Sequence, residues 1–268
     1  MATVPDTKAL GELLRSRRER LTPAEVGLPE GRRRRTPGLR REEVALLASV
    51  SATYYTFLEQ GRPVRPSRPV LDALASALRM SPAERRYLLV LANADGGTHE
   101  PAPPEQVDPA LSALVARMNP FPTIVKGRRW DVLVANDAAR ELFDDWHGDA
   151  RPEPNLVRWM FSSDRARTVY IDWPGEARAM LGRFRLAAAK HSDDPEFVDL
   201  IEQLLETGED ARTWWAGHDV RDIGNGTKKL RHPTLGPTDY THVVLHSADN
   251  PDQTLVTYTP ARGAEPRA

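Results

Sequence analysis

Cysteine is absent from this 268-residue chain. Its absence excludes disulfides, thiol catalysis and thiolate metal sites together. Long apolar runs are absent as well. No stretch approaches the roughly 18 apolar residues of a membrane span, and the N-terminal MATVPDTKALGELLRSRRERL has no apolar segment of signal-peptide length. The expectation is a soluble, cytoplasmic protein with no membrane partner. Tryptophan is missing from the first 120 residues, and all six (Trp130, Trp146, Trp159, Trp173, Trp214, Trp215) come later. What is present suffices for a packed core: 40% of residues are hydrophobic and 28% charged, a balance outside the disordered range.

The net charge of −1 conceals a division. Residues 1–99 carry 17 Lys+Arg against 11 Asp+Glu, and the remainder carries 20 against 27. A basic front suits a polyanion such as nucleic acid; an acidic back would be repelled by it and implies a different task. Residues 95–108, DGGTHEPAPPEQVD, are rich in glycine and proline and have no periodic apolar pattern. They read as a linker between a domain at 1–94 and another at 109–260, with a tail at 261–268.

The front reads as all-helical. Asp6 to Arg20 sets Leu10, Leu13 and Leu14 on one face. Thr22-Pro23-Ala24-Glu25 and Ser81-Pro82-Ala83-Glu84 are capping-box starts. Helices are expected over Leu39–Ala48, Ser51–Gln60 with Gly61 as a C-cap, Val70–Met80, and from Ser81 to about Ala94. Pro63, Pro66 and Pro69 should hold the segment before Val70 out of helix. The back changes texture. FPTIVKGRRWDVLVAN resembles a hairpin about Lys126-Gly127, preceded by a helix capped at Asp108. Asn136 can cap a helix over Asp137–Phe143. Residues 155–216 read as helical pieces. Strands follow at 217–222, 228–231, 241–246 and 253–259, with turn signals at Asn225-Gly226 and Gly236-Pro237. The fold class is multidomain: an N-terminal all-α five-helix unit and a C-terminal α+β domain.

The stretch LLASVSATYYTFLEQG sets two short helices on the hinge Ser49-Val50-Ser51. That is the outline of a helix-turn-helix. It needs a small residue where the helices cross (Ala45), an apolar residue in the turn (Val50), and a buried face on the second helix (Tyr55, Leu58). The other face, with Ser51, Ala52, Thr53, Tyr54, Thr56 and Phe57, is free to enter a DNA major groove. Arg32, Arg33, Arg34, Arg35, Arg40, Arg41, Arg62 and Arg65 flank the two helices, where phosphate contacts would position the protein without specifying sequence. One such unit reads a half-site, so a homodimer on a palindromic operator is expected. Glu59 reads as structural, pairing with an arginine of the first helix.

Residues 8–92 resemble the Xre-type helix-turn-helix family. RRRRTPGLRREEVALLASVSATYYTFLEQGR is similar to a bacterial subgroup that couples this domain to a C-terminal MmyB-like ligand-binding domain. Residues 108–260 resemble that second domain through FPTIVKGRRWDVLVAND, PNLVRWMF, the WWAGHDV region, KLRHPTLG and LVTYTP. The resemblance implies a PAS-like sensory fold and a small, hydrophobic, fatty-acid-like ligand. The chain departs from the subgroup at Ser49, where glycine is usual, and at Phe57, where arginine is usual. A left-handed turn would suit serine less well, and loss of the arginine implies a changed operator or weaker binding.

Pocket candidates are Trp130, Asn136, Phe143, Trp146, Trp159, Tyr170 and Phe184, although a domain of this size needs most of its aromatics for its own core. No cofactor other than such a ligand, no metal and no enzymatic activity are expected. His242 and His246 are four apart but lie in a strand-like run without a third ligand. His218-Asp219 and Ser162-Ser163-Asp164 lack a nucleophile elbow. Asn225-Gly226-Thr227 reads as a turn rather than a glycosylation site. Two rivals place an enzyme or an interaction and dimerisation module in the back half. A tight cluster of titratable groups around a cavity would favour an enzyme, a filled core a dimerisation module, and a closed apolar cavity a sensor.

Overall fold

A computed structural model of the chain describes residues 6–29, 38–92, 105–143, 154–191, 194–222 and 224–261. Arg32–Arg35, Trp146 and most of the expected linker lie outside these residues. The chain divides into two compact units, the first built essentially on the N-terminal helices, the second on residues from Ala102 onward.

In its described residues the first unit is built from helices: α1 Thr7–Arg20, α2 Arg41–Leu47, α3 Ala52–Glu59, α4 Arg68–Ala77 and α5 Pro82–Leu91, with a short 3-10 turn at Ala24–Val26. Local chemistry sets most boundaries. The Asp6 side chain accepts from Ala9 N. Ser81 and Glu84 complete their capping box in both directions. Glu25 instead reaches back to Thr22, taking its backbone N–H at 2.7 Å and its hydroxyl at 2.8 Å. Helix α4 differs from expectation at both ends. Pro69 lies inside α4, at the first turn, where a proline costs no helical hydrogen bond. At the other end Arg79, at φ 50°, stops the helix before Met80.

The core is filled by Leu10, Leu13 and Leu14 of α1, Val44 of α2, Tyr55 and Leu58 of α3, and Leu71 and Leu74 of α4, all within 2% exposure. Gly11 lets α1 close on α3: a Cβ there would lie 2.7 Å from the Glu59 carbonyl oxygen. Any side chain would push the two helices apart. Val50, the apolar turn residue, is only half-buried, as is Leu47 at the end of α2. Val50 lies between exposed Ser49 and Ser51 on a turn that runs along the surface.

The second unit is α+β, of the PAS-like kind that the resemblance implied. Helix α6 (Pro109–Arg117) precedes the hairpin β1 (Thr123–Lys126) and β2 (Val132–Ala135). Among the described residues these helices follow: α7 Asp137–Leu142, α8 Leu156–Ser162, α9 Asp164–Val169, α10 Trp173–Lys190, α11 Pro195–Glu206 and α12 Glu209–Ala216. Strands β3 (Gly226–His232), β4 (Gly236–His246) and β5 (Thr254–Pro260) close the domain. The order is β2-β1-β5-β4-β3, and every pairing is antiparallel. The strand expected at 217–222 does not form. His218 takes φ 53°, which breaks the extended run, and the segment pairs with no strand.

The sheet has two unlike faces. Helix α6 covers part of one, where Val115 packs on Val125 and Leu255. The other face meets the main core, in which Ile124, Leu230, Tyr240, Val256 and Tyr258 of the sheet join residues of α7 to α12. Alternation along each strand decides which residues turn inward.

Candidate DNA-reading helix and ligand cavity

Helices α2 and α3 meet through the three-residue turn. Ser49 adopts φ 54°, the left-handed conformation that its position demands, and Val50 N–H donates to the Ala45 carbonyl at 2.9 Å. The Ser51 hydroxyl then caps α3 by accepting from Tyr54 N at 3.1 Å. Tyr55, Leu58 and Glu59 are buried, whereas Thr53 is exposed and Ala52, Tyr54, Thr56 and Phe57 are partly exposed. Ser51 through Phe57, Tyr55 apart, therefore lie on the surface of the unit.

The Glu59 carboxylate is held by two arginines. Arg18 of α1 donates from Nε at 2.7 Å and Nη2 at 2.9 Å; Arg41 of α2 donates from Nε at 3.0 Å and Nη2 at 2.8 Å. Arg18 also reaches the Leu39 carbonyl at 2.9 Å. Burial alone would raise the Glu59 carboxyl, but the two guanidinium groups outweigh it and hold it below the usual carboxylate range. Helices α1, α2 and α3 are thus tied at one charge cluster. Arg41, a candidate phosphate contact, is engaged here. Arg62 lies over the Phe57 ring, its Cζ 4.3 Å from the centroid. Arg40 and Arg65 remain at the surface of the unit.

In the second unit a cavity of about 620 Å³, counting its open mouth, lies between the inner sheet face and the helices. Ile124, Trp130, Phe143, Val256 and Tyr258 give it an apolar wall. Among the pocket candidates, Trp130, Phe143 and Tyr170 line it. Asn136, Trp159 and Phe184 do not. The Asn136 side chain caps α7, accepting from Ala139 N and from Thr123 N at 3.0 Å each. Phe184 stacks on Phe197 at 6.0 Å, and Trp159 packs edge-on against Phe143 at 6.0 Å. These three hold the core behind the wall. Trp146 lies outside the described residues.

Sequence reasoning missed the cationic side chains of the cavity: Lys126 of β1, Arg183 of α10, Lys228 of β3 and the imidazole of His242 of β4. Their signal was period two. Lys126 falls two after Ile124, Lys228 two before Leu230, and His242 midway between Tyr240 and Val244, so each shares its strand's inward face. Lys126 is 5% exposed and faces the Trp130 ring, its Nζ 4.0 Å from the centroid. Burial pushes its ammonium down to about 7, with Arg183 adding to the effect. Lys228 pairs with Glu176, and Arg183 approaches the same carboxylate at 4.0 Å. Burial lowers Lys228 and His242 as well. The His242 Nε2 lies 3.0 Å from the Gly224 carbonyl, and its buried Nδ1 has no hydrogen-bond partner among the described residues. Burial also drives the Tyr258 hydroxyl up to about 12. Among the described residues, no group of three or more His, Asp or Glu is arranged to hold a metal ion, and no helix is long and apolar enough to cross a membrane.

The paired helices with their capped, outward-facing second member define a helix-turn-helix, and residues 9–88 match the helix-turn-helix domain family. Residues 107–268 match the MmyB-like transcription regulator ligand binding domain, and the chain belongs to that family. No curated protein matches it. The protein is a DNA-binding transcription regulator with a ligand-sensing domain; both domains are characteristic of regulators rather than enzymes.

Proposed function

We propose that the protein is a cytoplasmic, sequence-specific regulator that binds a palindromic operator as a homodimer and senses a fatty-acid-like amphiphile in its C-terminal cavity. The observation that carries the ligand reading is the cavity's charge. Lys126, Arg183 and Lys228 converge on an apolar space with Glu176 as the carboxylate that pairs with two of them. Buried charge left short of counter-charge is costly, and an acid head group would supply it while an alkyl tail met Trp130, Phe143 and Val256. The cavity therefore joins the apolar wall expected of a sensor to a titratable cluster. Because the cluster is predominantly cationic, it is suited to holding an anion more than to passing a proton between an acid and a base.

The dimer reading rests on the geometry of the motif: one α3 covers a half-site, and two α3 helices about 34 Å apart would read a palindrome. A ligand can shift DNA affinity only if it binds the competent and incompetent states unequally. The test is titration of the full-length protein with tetradecanoate and with tetradecanol, followed by intrinsic tryptophan fluorescence, and operator binding with each. The acid should bind at least tenfold more tightly than the alcohol and change operator affinity. Equal binding of the two, or operator affinity indifferent to the acid, would refute the sensor reading.

A further inference from the structure

The outward face of α3 is unusual for a DNA-reading helix in what it cannot do. From Ser49 to Leu58 there is no arginine, lysine, asparagine, glutamine, aspartate or glutamate. Those side chains supply the bidentate bonds that identify guanine and adenine and the acceptor that identifies cytosine. The structure narrows the remaining polar groups further. Thr56 spends its hydroxyl proton on the Ala52 carbonyl at 2.8 Å. The Ser51 oxygen holds the first turn of the helix. Arg62, the guanidinium beside this face, covers the Phe57 ring and donates from Nε to Gln60 Oε1 at 3.1 Å. The exposed or half-exposed surface of the first two turns is then the methyl of Ala52, the methyls of Thr53 and Thr56, the Phe57 ring, the hydroxyls of Thr53 and Tyr54, and the remaining O–H proton of Ser51 at the helix start.

In the major groove the apolar feature that marks one base is the thymine C5-methyl. We propose that α3 reads its half-site chiefly through thymine methyls, so that the bases beneath it form a thymine-rich run of A·T pairs, with Phe57 as a specificity-determining residue. The inference rests on the reading of the protein as a sequence-specific regulator. It assigns Thr53 and Tyr54 one single-bond contact each, and the arginines around the motif the sequence-independent contacts to phosphate.

The test uses the full-length protein, with and without tetradecanoate. Bound sequences are first selected from random duplex DNA. Thymines of the enriched half-site are then replaced one at a time by deoxyuridine, which removes the methyl and leaves every hydrogen-bonding group in place. The expected result is a thymine-rich half-site in which two or three replacements each weaken binding about fourfold, the value of one buried methyl. Phe57→Ala should abolish the penalty at one of those positions, and Phe57→Leu should retain part of it. The deoxyuridine series needs no folded variant to be informative. An enriched half-site specified by G·C pairs and indifferent to deoxyuridine would overturn the inference and leave the regulator reading intact. No enrichment in either condition would overturn both.

Discussion

Lys126→Met should stabilise the ligand-binding domain below pH 7 and lose that advantage as the pH rises. Lys126 is buried, and its ammonium is pushed down from 10.5 to about 7. Below pH 7 the amine is charged in both folded and unfolded chains, and the fold bears the full cost of burying it. Between pH 7 and 10.5 the unfolded chain keeps the proton that the folded chain has released. The unfolded state then binds more protons, so stability rises with pH by about 1.4 kcal/mol per unit from this group alone. Methionine of similar length carries no charge and lacks that slope. The variant should therefore gain roughly 4–5 kcal/mol at pH 6.5 from removing the buried charge, less about 1 kcal/mol for the lost contact with the Trp130 ring. The difference should shrink towards zero by pH 10. All six tryptophans follow residue 120, so urea unfolding followed by tryptophan fluorescence reports this domain and not the N-terminal helices. Midpoints at pH 6.5, 8.0 and 9.5 for both proteins would measure the effect. A difference independent of pH would refute the burial argument. A variant less stable than wild type at pH 6.5 would show that Lys126 has a counter-charge at home.

Glu59→Gln should destabilise the N-terminal unit by about 2–3 kcal/mol, because buried Arg18 would lose its two-point carboxylate partner and keep only the partly exposed Glu19 at 3.3 Å as counter-charge. Amide hydrogen exchange in α1 and α3 should accelerate while the tryptophan-detected transition stays in place; unchanged exchange would remove Glu59 from the cluster that ties the helices. The wild-type contribution of Glu59 should be present above the ordinary carboxylate range and fade as the pH falls through its lowered folded value. Ser49→Gly should stabilise the same unit by about 0.5–1 kcal/mol, since glycine takes the observed φ of 54° without the penalty a Cβ brings and loses only part of that gain to its freer unfolded chain. A lower melting temperature by circular dichroism would contradict this.

Much of the N-terminal unit was legible because its determinants are local. The Ser81 capping box and the buried Tyr55 and Leu58 follow from neighbours or from one helical period, whereas the left-handed turn at Ser49 came from the family resemblance and the tie between Glu59 and an α1 arginine spans 41 positions. Pro69 was misread because proline is excluded from a helix interior but not from its first turn. The stretch 217–222 was misread because extended propensity makes no strand without a paired edge, and the left-handed His218 denies it one.

By itself the sequence determined a basic helical front with a helix-turn-helix, an acidic α+β back, and a run from Ser49 to Leu58 without charged or amide side chains. These depend on composition and on spacing within a turn or a strand. Only the tertiary structure decided which aromatics wall the cavity and which fill the core behind it. It alone brought Lys126, Arg183, Lys228 and His242 together from four elements around one apolar space. That convergence depends on the register of β1, β5, β4 and β3 and on how α10 lies across them. Those relations hold between residues up to more than a hundred positions apart, and no local pattern encodes them.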